Sequence, residues 1–288
     1  MNVRVGFHVS IAGGISNSVD NARKLGCTTF QIFSRNPRGW TAKPLSRGEI
    51  NSFKDKLCVS GIEKKSVVVH MPYLPNLSGP PGEFYERSVK TLTEEVHRCN
   101  LLGISHLVIH LGSHMGRGSE SGIDQLVDAL RAATASSKSE NEVVILLENN
   151  VGQKNSVGST LEELRLILDR LDSAKEFGVC IDTCHLFASG YDLHTKEGVN
   201  IIFEKIDAVV GLKELKMIHL NDSKGRLGSN LDRHEHIGLG SIGVAGITAF
   251  VNHRAIHGLP IIMETPIDTT RGDAQNLKVV LDMMRKIA

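Results

Sequence analysis

The feature that most limits what this chain can fold into is a repeat. Short β-branched runs alternate with longer amphipathic stretches from one end to the other. The runs are VRVGFH (3–8), TTFQIF (28–33), SVVVH (66–70), HLVIHL (106–111), EVVILLEN (142–149), FGVCIDTCH (177–185), LKMIHLND (215–222) and LPIIMETP (259–266), each followed by a candidate helix. Alternating βα units imply a parallel sheet, and eight of them in 288 residues favour an α/β fold closed into a (β/α)8 TIM barrel over an open doubly wound sheet. No linker, low-complexity tract or composition shift interrupts the series, so residues 1–288 read as a single domain.

The intervening stretches carry helix signals of their own. Leu161, Leu164, Leu168 and Leu171 share one face, with Ser159 and Glu162 as a candidate capping box ahead of them. Gly26, Gly61, Gly103, Gly211 and Gly258 sit where helices should stop before the next strand.

Polar residues recur at one place in the repeat. His70, His110, Glu148, Asp182 with His185, His219 and Glu264 close strands three to eight, roughly 35 to 45 residues apart, one βα unit each. In a parallel barrel those ends meet at one rim. The loop after strand seven adds Asp232 and His234, whose i, i+2 spacing lets both side chains reach one ion from an extended backbone. Any one of these read alone is a hydrogen-bonded or exposed strand-end residue. Together, five imidazoles and four carboxylates at one rim leave four negative charges in mutual repulsion unless cations hold them together. Nitrogen and oxygen donors without thiolate suit Zn²⁺, Mn²⁺ or Fe²⁺, and an imidazole-rich set leans toward zinc. Nine donors exceed what one ion takes and accommodate two or three metals with a bridging carboxylate.

The other histidines divide differently. His8 ends strand one, where lining the rim and lying outside it are equally open readings. His97, His194, His253 and His257 read as surface residues; His236, two beyond His234, reads as a further ligand or, the favoured alternative, as a solvent-exposed loop residue.

Composition narrows the partners. Lys and Arg total 33 against 32 acidic residues, a formal charge of +1, so no bulk field advertises a polyanion, although a local patch or bound cations could hold one. The longest apolar runs, such as Val143 to Leu147, fall far short of the ~18 residues of a membrane span, and MNVRVGFHVS lacks a signal-like core. A cytoplasmic protein with no membrane partner is expected. The five cysteines are scattered without CxxC and read as buried thiols.

At these residues the sequence resembles the endonuclease IV family of zinc-dependent abasic-site DNA repair nucleases. The likeness runs through GFHVSIAGG (6–14), FSRNPRGW (33–40), HMPYLPNL (70–77), HLGSH (110–114), LLEN (146–149), IDTCH (181–185), HLNDSK (219–224), DRHEHIGLG (232–240) and METP (263–266). Single fragments are weak signals, but their order and one-per-strand placement are specific. The resemblance implies three Zn²⁺, with substitution by Mn²⁺ left open. His70, His110 and Glu148 would hold the first; Glu148 would bridge to a second held by Asp182, His219 and Glu264; His185, Asp232 and His234 would hold the third.

It further implies a hydroxide bridging two zincs that attacks the phosphorus 5′ to an abasic sugar, with Glu148 in the catalytic centre. The products would be a 3′-hydroxyl and a 5′-deoxyribose phosphate, and blocked 3′ ends would be trimmed as well. Arg38, Tyr73 and Leu74 would enter the minor groove of damaged double-stranded DNA, and the protein would act as a monomer. The chain departs from the family pattern after LLEN, where NVGQKNSVG (150–158) has Asn150, Val151 and Lys154 as unusual members, so local contacts to the DNA backbone are expected to differ.

Metal-dependent sugar isomerases and epimerases are the rival reading on fold alone. They normally need one or two ions, and the third donor set of His185, Asp232 and His234 discriminates against them, as does the lack of an evident rim lysine for sugar proton shuttling. A barrel that binds DNA or metal without catalysis is the third reading, disfavoured by an intact donor set that includes Glu148.

Overall fold

The computed structural model describes residues 3–135, 143–171 and 175–285. Its strands are β1 (Val5–His8), β2 (Thr29–Phe33), β3 (Val67–His70), β4 (His106–His110), β5 (Val144–Glu148), β6 (Phe177–Asp182), β7 (Leu215–His219), the short β8 (Asp222–Ser223) and β9 (His234–Glu235), and β10 (Ile261–Met263). All but β8 and β9 form one closed barrel in the order β1-β10-β7-β6-β5-β4-β3-β2, with every pair parallel. β8 and β9 make an antiparallel pair, Ser223 opposite His234, above the barrel's C-terminal rim. The expected α/β TIM barrel is the observed fold, and each expected strand is present. Glu142, the first residue of the fifth expected run, lies outside the described residues.

The helices are α1 (Asn17–Leu25), α2 (Arg47–Val59), α3 (Glu83–Leu102), α4 (Ser119–Ala135), α5 (Leu161–Arg170), α6 (Thr183–Ala188), α7 (Lys196–Val209), α8 (Gly243–Val251) and α9 (Asp273–Arg285). They cover the outer face of the sheet, which explains why strands such as VVVH are apolar without alternation: both faces are buried. The large core cluster lies between strands and helices and includes Phe7, Phe30, Phe53, Leu92, Leu164, Phe203 and Phe250.

A second, smaller cluster fills the barrel itself: Val68, Val108, Leu146, Cys180, Met217 and Ile262. The period-2 geometry of a strand puts residue i+2 on the same face, one step nearer the C-terminal rim. The residues two beyond these six are His70, His110, Glu148, Asp182, His219 and Glu264. The apolar plug and the polar layer are therefore successive floors of one interior. On β1 the corresponding pair is Gly6 and His8, and on β2 it is Thr29 and Gln31. Gly6 is demanded by packing, since a Cβ there would stand 1.7 Å from the Thr29 carbonyl oxygen.

Three local expectations are corrected. The sixth strand ends at Asp182 and not at His185, because the Asp182 carboxylate accepts the His185 backbone N–H at 2.8 Å and starts α6 there. His185 thus points from the first turn of a helix. The cap of α5 is Thr160, whose hydroxyl accepts from Glu163 N at 3.1 Å; Ser159 still lies outside the helix, its own N–H donating to the Glu163 carboxylate at 3.0 Å. Of the cysteines, Cys58 is exposed, since it follows Leu57 off the buried face of α2; the other four are buried as expected.

Candidate metal centre

Of the nine residues singled out at the strand ends and in the following loops, His70, His110, His185, Asp232, His234 and Glu264 line a cleft of about 560 Å³ at the C-terminal rim, and Glu148, Asp182 and His219 lie against them. They fall into three sets, within each of which the donor atoms lie no more than 4.8 Å apart. In the first, Glu148 Oε2 is 3.3 Å from His70 Nε2 and 3.2 Å from His110 Nε2. In the second, the other oxygen of the same carboxylate, Oε1, is 2.7 Å from His219 Nδ1, which lies 3.7 Å from Glu264 Oε2 and 4.0 Å from Asp182 Oδ2. In the third, Asp232 Oδ1 is 3.4 Å from His185 Nε2 and 3.5 Å from His234 Nε2. Asp182 Oδ2 is also 3.8 Å from His234 Nε2, so a second carboxylate stands between two sets.

The rings are aimed by hydrogen bonds outside the cluster. Nδ1–H of His70 donates to the Met71 carbonyl at 2.7 Å, that of His185 to the Asn149 carbonyl at 2.9 Å, and that of His234 to the Glu264 carbonyl at 3.0 Å. In the neutral ring each bond fixes the tautomer whose Nε2 carries the lone pair facing the cleft. The Nε2 atoms of His185 and His234 are buried with no protein hydrogen-bond partner, an arrangement that costs free energy unless a cation takes the lone pair. Asp182 is held by Asn221 Nδ2, which donates to its Oδ2 at 2.6 Å, and Asn149 Oδ1 accepts the Asp182 N–H at 2.7 Å.

Charge in this cluster is strongly coupled. Burial works against the carboxylate of Glu148, yet the imidazoles of His219 and His110 outweigh it and hold the group well below its usual range. Glu264 is likewise held well below its usual range, with His219 and His8 outweighing burial. Burial would also disfavour a charged His185, but Asp182, Asp232 and Glu148 push it up to about 10. The carboxylates demand positive charge. Protonated imidazoles meet that demand, and divalent cations meet it while leaving the rings neutral as ligands. The donor set fits metal ions on chemistry and on geometry.

The loops that bear Asp232 and His234 are anchored by Asp222, which the sequence did not flag, and by His236. The buried Asp222 carboxylate accepts from the backbone N–H of Ser223 at 2.8 Å, Gly238 at 3.0 Å, Gly240 at 3.0 Å and Ile242 at 2.9 Å. Gly240 is required by this approach, because a Cβ would stand 2.5 Å from Asp222 Oδ1. His236 corrects the expectation of a solvent-exposed loop residue: it is fully buried, with Nε2 3.0 Å from Asp268 Oδ1 and Nδ1 3.0 Å from Asn276 Nδ2, tying this loop to the segment after β10.

The three residues expected to touch nucleic acid divide. Tyr73 is exposed and lines the cleft, its ring 5.0 Å from Phe33 and 6.1 Å from His110. Arg38 is exposed on the neighbouring loop, which joins the Tyr73 loop where Tyr73 N–H donates to the Pro37 carbonyl at 3.3 Å. Leu74 is half-buried and does not line the cleft. In the departing segment, Val151 is buried and its carbonyl accepts from Asn230 Nδ2 at 2.8 Å, whereas Lys154 is exposed. His8 lines the cleft, which settles its open reading, and Lys224, Arg233 and Ile267 also line it. The sequence signal for His8 is its place at the end of β1; the basic residues Lys224 and Arg233 carry none, since they sit in loops of unreadable direction.

A family model described as a xylose isomerase-like TIM barrel matches residues 19–287. A protein named "Probable endonuclease 4" from Cenarchaeum symbiosum (strain A) is 55% identical over 96% of this chain and 98% of its own length. The crystal structure of endonuclease IV from Thermus thermophilus superposes with a TM-score of 0.86 at 36% identity, covering 99% of this chain and all of that one. The crystal structure of a 3-keto-D-glucoside 4-epimerase from E. coli superposes with a TM-score of 0.70 at 13% identity, over 99% of each chain, a likeness of fold alone.

Proposed function

The chain belongs to the endonuclease IV family of DNA repair nucleases, and on that premise we propose that it hydrolyses the phosphodiester 5′ to an abasic site in double-stranded DNA, leaving a 3′-hydroxyl and a 5′-deoxyribose phosphate. Blocked 3′ ends are trimmed at the same site. The sugar isomerase and epimerase reading gives way, since its support is a shared barrel while the endonuclease likeness extends through the sequence. The observation that carries the proposal is the division of one carboxylate between two donor sets, Glu148 Oε2 toward His70 and His110 and Oε1 toward His219.

In this reading His70, His110 and Glu148 hold one Zn²⁺; Glu148, Asp182, His219 and Glu264 hold a second; His185, Asp232 and His234 hold a third; and Mn²⁺ is an acceptable substitute. Such ions supply Lewis acidity: neutralisation of the phosphodiester, activation of water and stabilisation of the departing oxygen. The protein's own residues do the rest. Glu148 keeps two cation sites close, and Lys224 and Arg233 line the cleft where phosphate must lie. Arg38, Tyr73 and Leu74 enter the minor groove opposite an extruded abasic nucleotide, Tyr73 directly beside the metal ligands. The chain, residues 1–288, works as one catalytic domain and as a monomer in the cytoplasm, and no helix among the described residues is long and apolar enough to cross a membrane.

A nicking assay tests this directly. A duplex carrying one abasic-site analogue should be cut 5′ to the lesion by protein purified without chelator, and the intact duplex should not. Failure to cut, with zinc bound, would defeat the proposal.

A further inference from the structure

We propose that Gln31 is a positioning residue for the metal centre, its side-chain amide selecting the ring nitrogen of His219 and the carboxylate oxygen of Glu264 that face the cations. The inference rests on the metal-centred reading above and deepens it.

Gln31 is fully buried on β2, at the inward position of the same polar floor that holds six of the candidate ligands. Its amide makes three contacts. Oε1 is 2.9 Å from His219 Nε2, and Nε2 is 2.8 Å from Glu264 Oε1 and 2.9 Å from His8 Nδ1. The orientation of the amide follows from Glu264: turned over, it would set two oxygens against each other at 2.8 Å. With nitrogen toward Glu264, one amide hydrogen goes to Glu264 Oε1 and the other faces His8 Nδ1, which itself lies 3.3 Å from the same Glu264 oxygen. Oε1 can then only accept, so His219 must carry its proton on Nε2.

That proton decides which nitrogen is free. His70, His185 and His234 donate from Nδ1 to backbone carbonyls and turn Nε2 inward. His219 is inverted, with Nδ1 toward the Glu148, Asp182 and Glu264 carboxylates, and the acceptor that fixes the inversion is the side chain of Gln31. The same amide occupies Oε1 of Glu264, leaving Oε2 as the oxygen 3.7 Å from His219 Nδ1. One residue thus orients two of the second set's four donors, and it needs a donor and an acceptor at once to do so. Such partners outside the ligand sphere typically govern metal affinity by ~10–100-fold.

The test compares wild type with Gln31→Met, which keeps length and volume but loses all three contacts, and with Gln31→Leu. Zinc content is measured on purified protein and zinc release is followed with a chromophoric chelator, alongside melting of the metal-free forms. Gln31→Met should melt like wild type when metal-free yet release at least one equivalent of zinc ~10-fold or more faster. A packing role alone predicts zinc retention like wild type in Gln31→Met, and that result in either variant would overturn the proposal. Should neither variant fold, histidine-selective ¹⁵N labelling of the zinc-loaded wild type decides: a proton on His219 Nε2 supports the assignment, and one on Nδ1 overturns it. Wild-type protein that holds no zinc would defeat the metal reading itself, a distinguishable outcome.

Discussion

Glu148 at the end of β5 meets His219 at the end of β7 across the barrel interior, Oε1 of the one 2.7 Å from Nδ1 of the other. Because the second oxygen of Glu148 faces His70 and His110, the contact makes this carboxylate the joint between two donor sets. Glu148→Gln keeps the volume and removes the charge that, on the proposed reading, holds two cations close. The variant should fold and lose cleavage by ~10²-fold or more, the scale for disturbing a metal ligand or a main electrostatic stabiliser. Turnover near wild type on an abasic duplex would remove Glu148 from the mechanism.

Three donor sets predict more than two equivalents of zinc in protein purified without chelator. Elemental analysis checks it. One equivalent or fewer with full activity would defeat the trinuclear reading. Brief exposure to chelator is expected to leave the metal in place, since most of the donors are buried.

The coupled charges give stability and zinc affinity opposite slopes with pH. His185 titrates at about 10 in the metal-free site, against ~6.5 in an unfolded chain. A raised value contributes stability that is full below the unfolded value and is lost as pH rises through the folded one, here from about 6.5 to about 10. Glu148 and Glu264, held down, contribute stability present above the ordinary carboxylate range and lost as pH falls below it. Metal-free protein should therefore unfold at progressively lower urea between pH 7 and 10. Zinc affinity should rise over the same interval, because a cation must displace the His185 proton. Denaturation of stripped protein and competition titrations measure the two; affinity independent of pH would show that the imidazoles are neutral before metal binds.

Much of this is legible in the sequence because barrel geometry converts sequence period into position. A polar residue two places beyond an apolar inward one, Glu148 after Leu146 or His219 after Met217, lies on the same interior face whatever the loops do. Where backbone direction changes, the reading loosens. The apolar run through IDTCH puts His185 on a strand, and only the Asp182 cap shows the helix beginning. A loop position puts His236 in solvent, because its partners Asp268 and Asn276 lie beyond the next strand. Gln31 escapes notice because a single amide in TTFQIF carries no metal signal; its meaning comes from neighbours on β1, β7 and the end of β10.

Asp222 offers a test of how the third donor set is held. Its buried carboxylate gathers backbone N–H groups from Ser223, Gly238, Gly240 and Ile242, closing the loop that carries Asp232 and His234. Asp222→Ala strands those donors. We expect a loss of about 2–4 kcal/mol in unfolding free energy, from several charge-assisted hydrogen bonds, together with loss of one zinc equivalent. Unchanged stability by urea titration would mean that water replaces the carboxylate without cost.

The proposed reading makes damage recognition separable from chemistry at Tyr73 and Leu74. Tyr73 stands exposed at the lip of the cleft, its ring against Phe33 and near His110, and its loop is tied to that of Arg38 through the Pro37 carbonyl. Leu74 is half-buried behind it. An apolar wedge beside a phosphate-cleaving centre has a physical use, since extruding a nucleotide costs a few kcal/mol of stacking, least where no base is present. A side chain that fills the gap then stabilises damaged duplex in preference to intact duplex. Neither residue is a candidate ligand, so replacing both with Ala should leave zinc content unchanged while weakening abasic-duplex binding and lowering kcat/KM. With ~1–3 kcal/mol lost per stacking side chain, a reduction of about 10-fold or more is expected. Zinc analysis and nicking kinetics on the same preparation check both halves. Unaltered kcat/KM in the double variant would show that the loop packs against the rim and does not read DNA, and a parallel fall in zinc would show that it supports the metal centre.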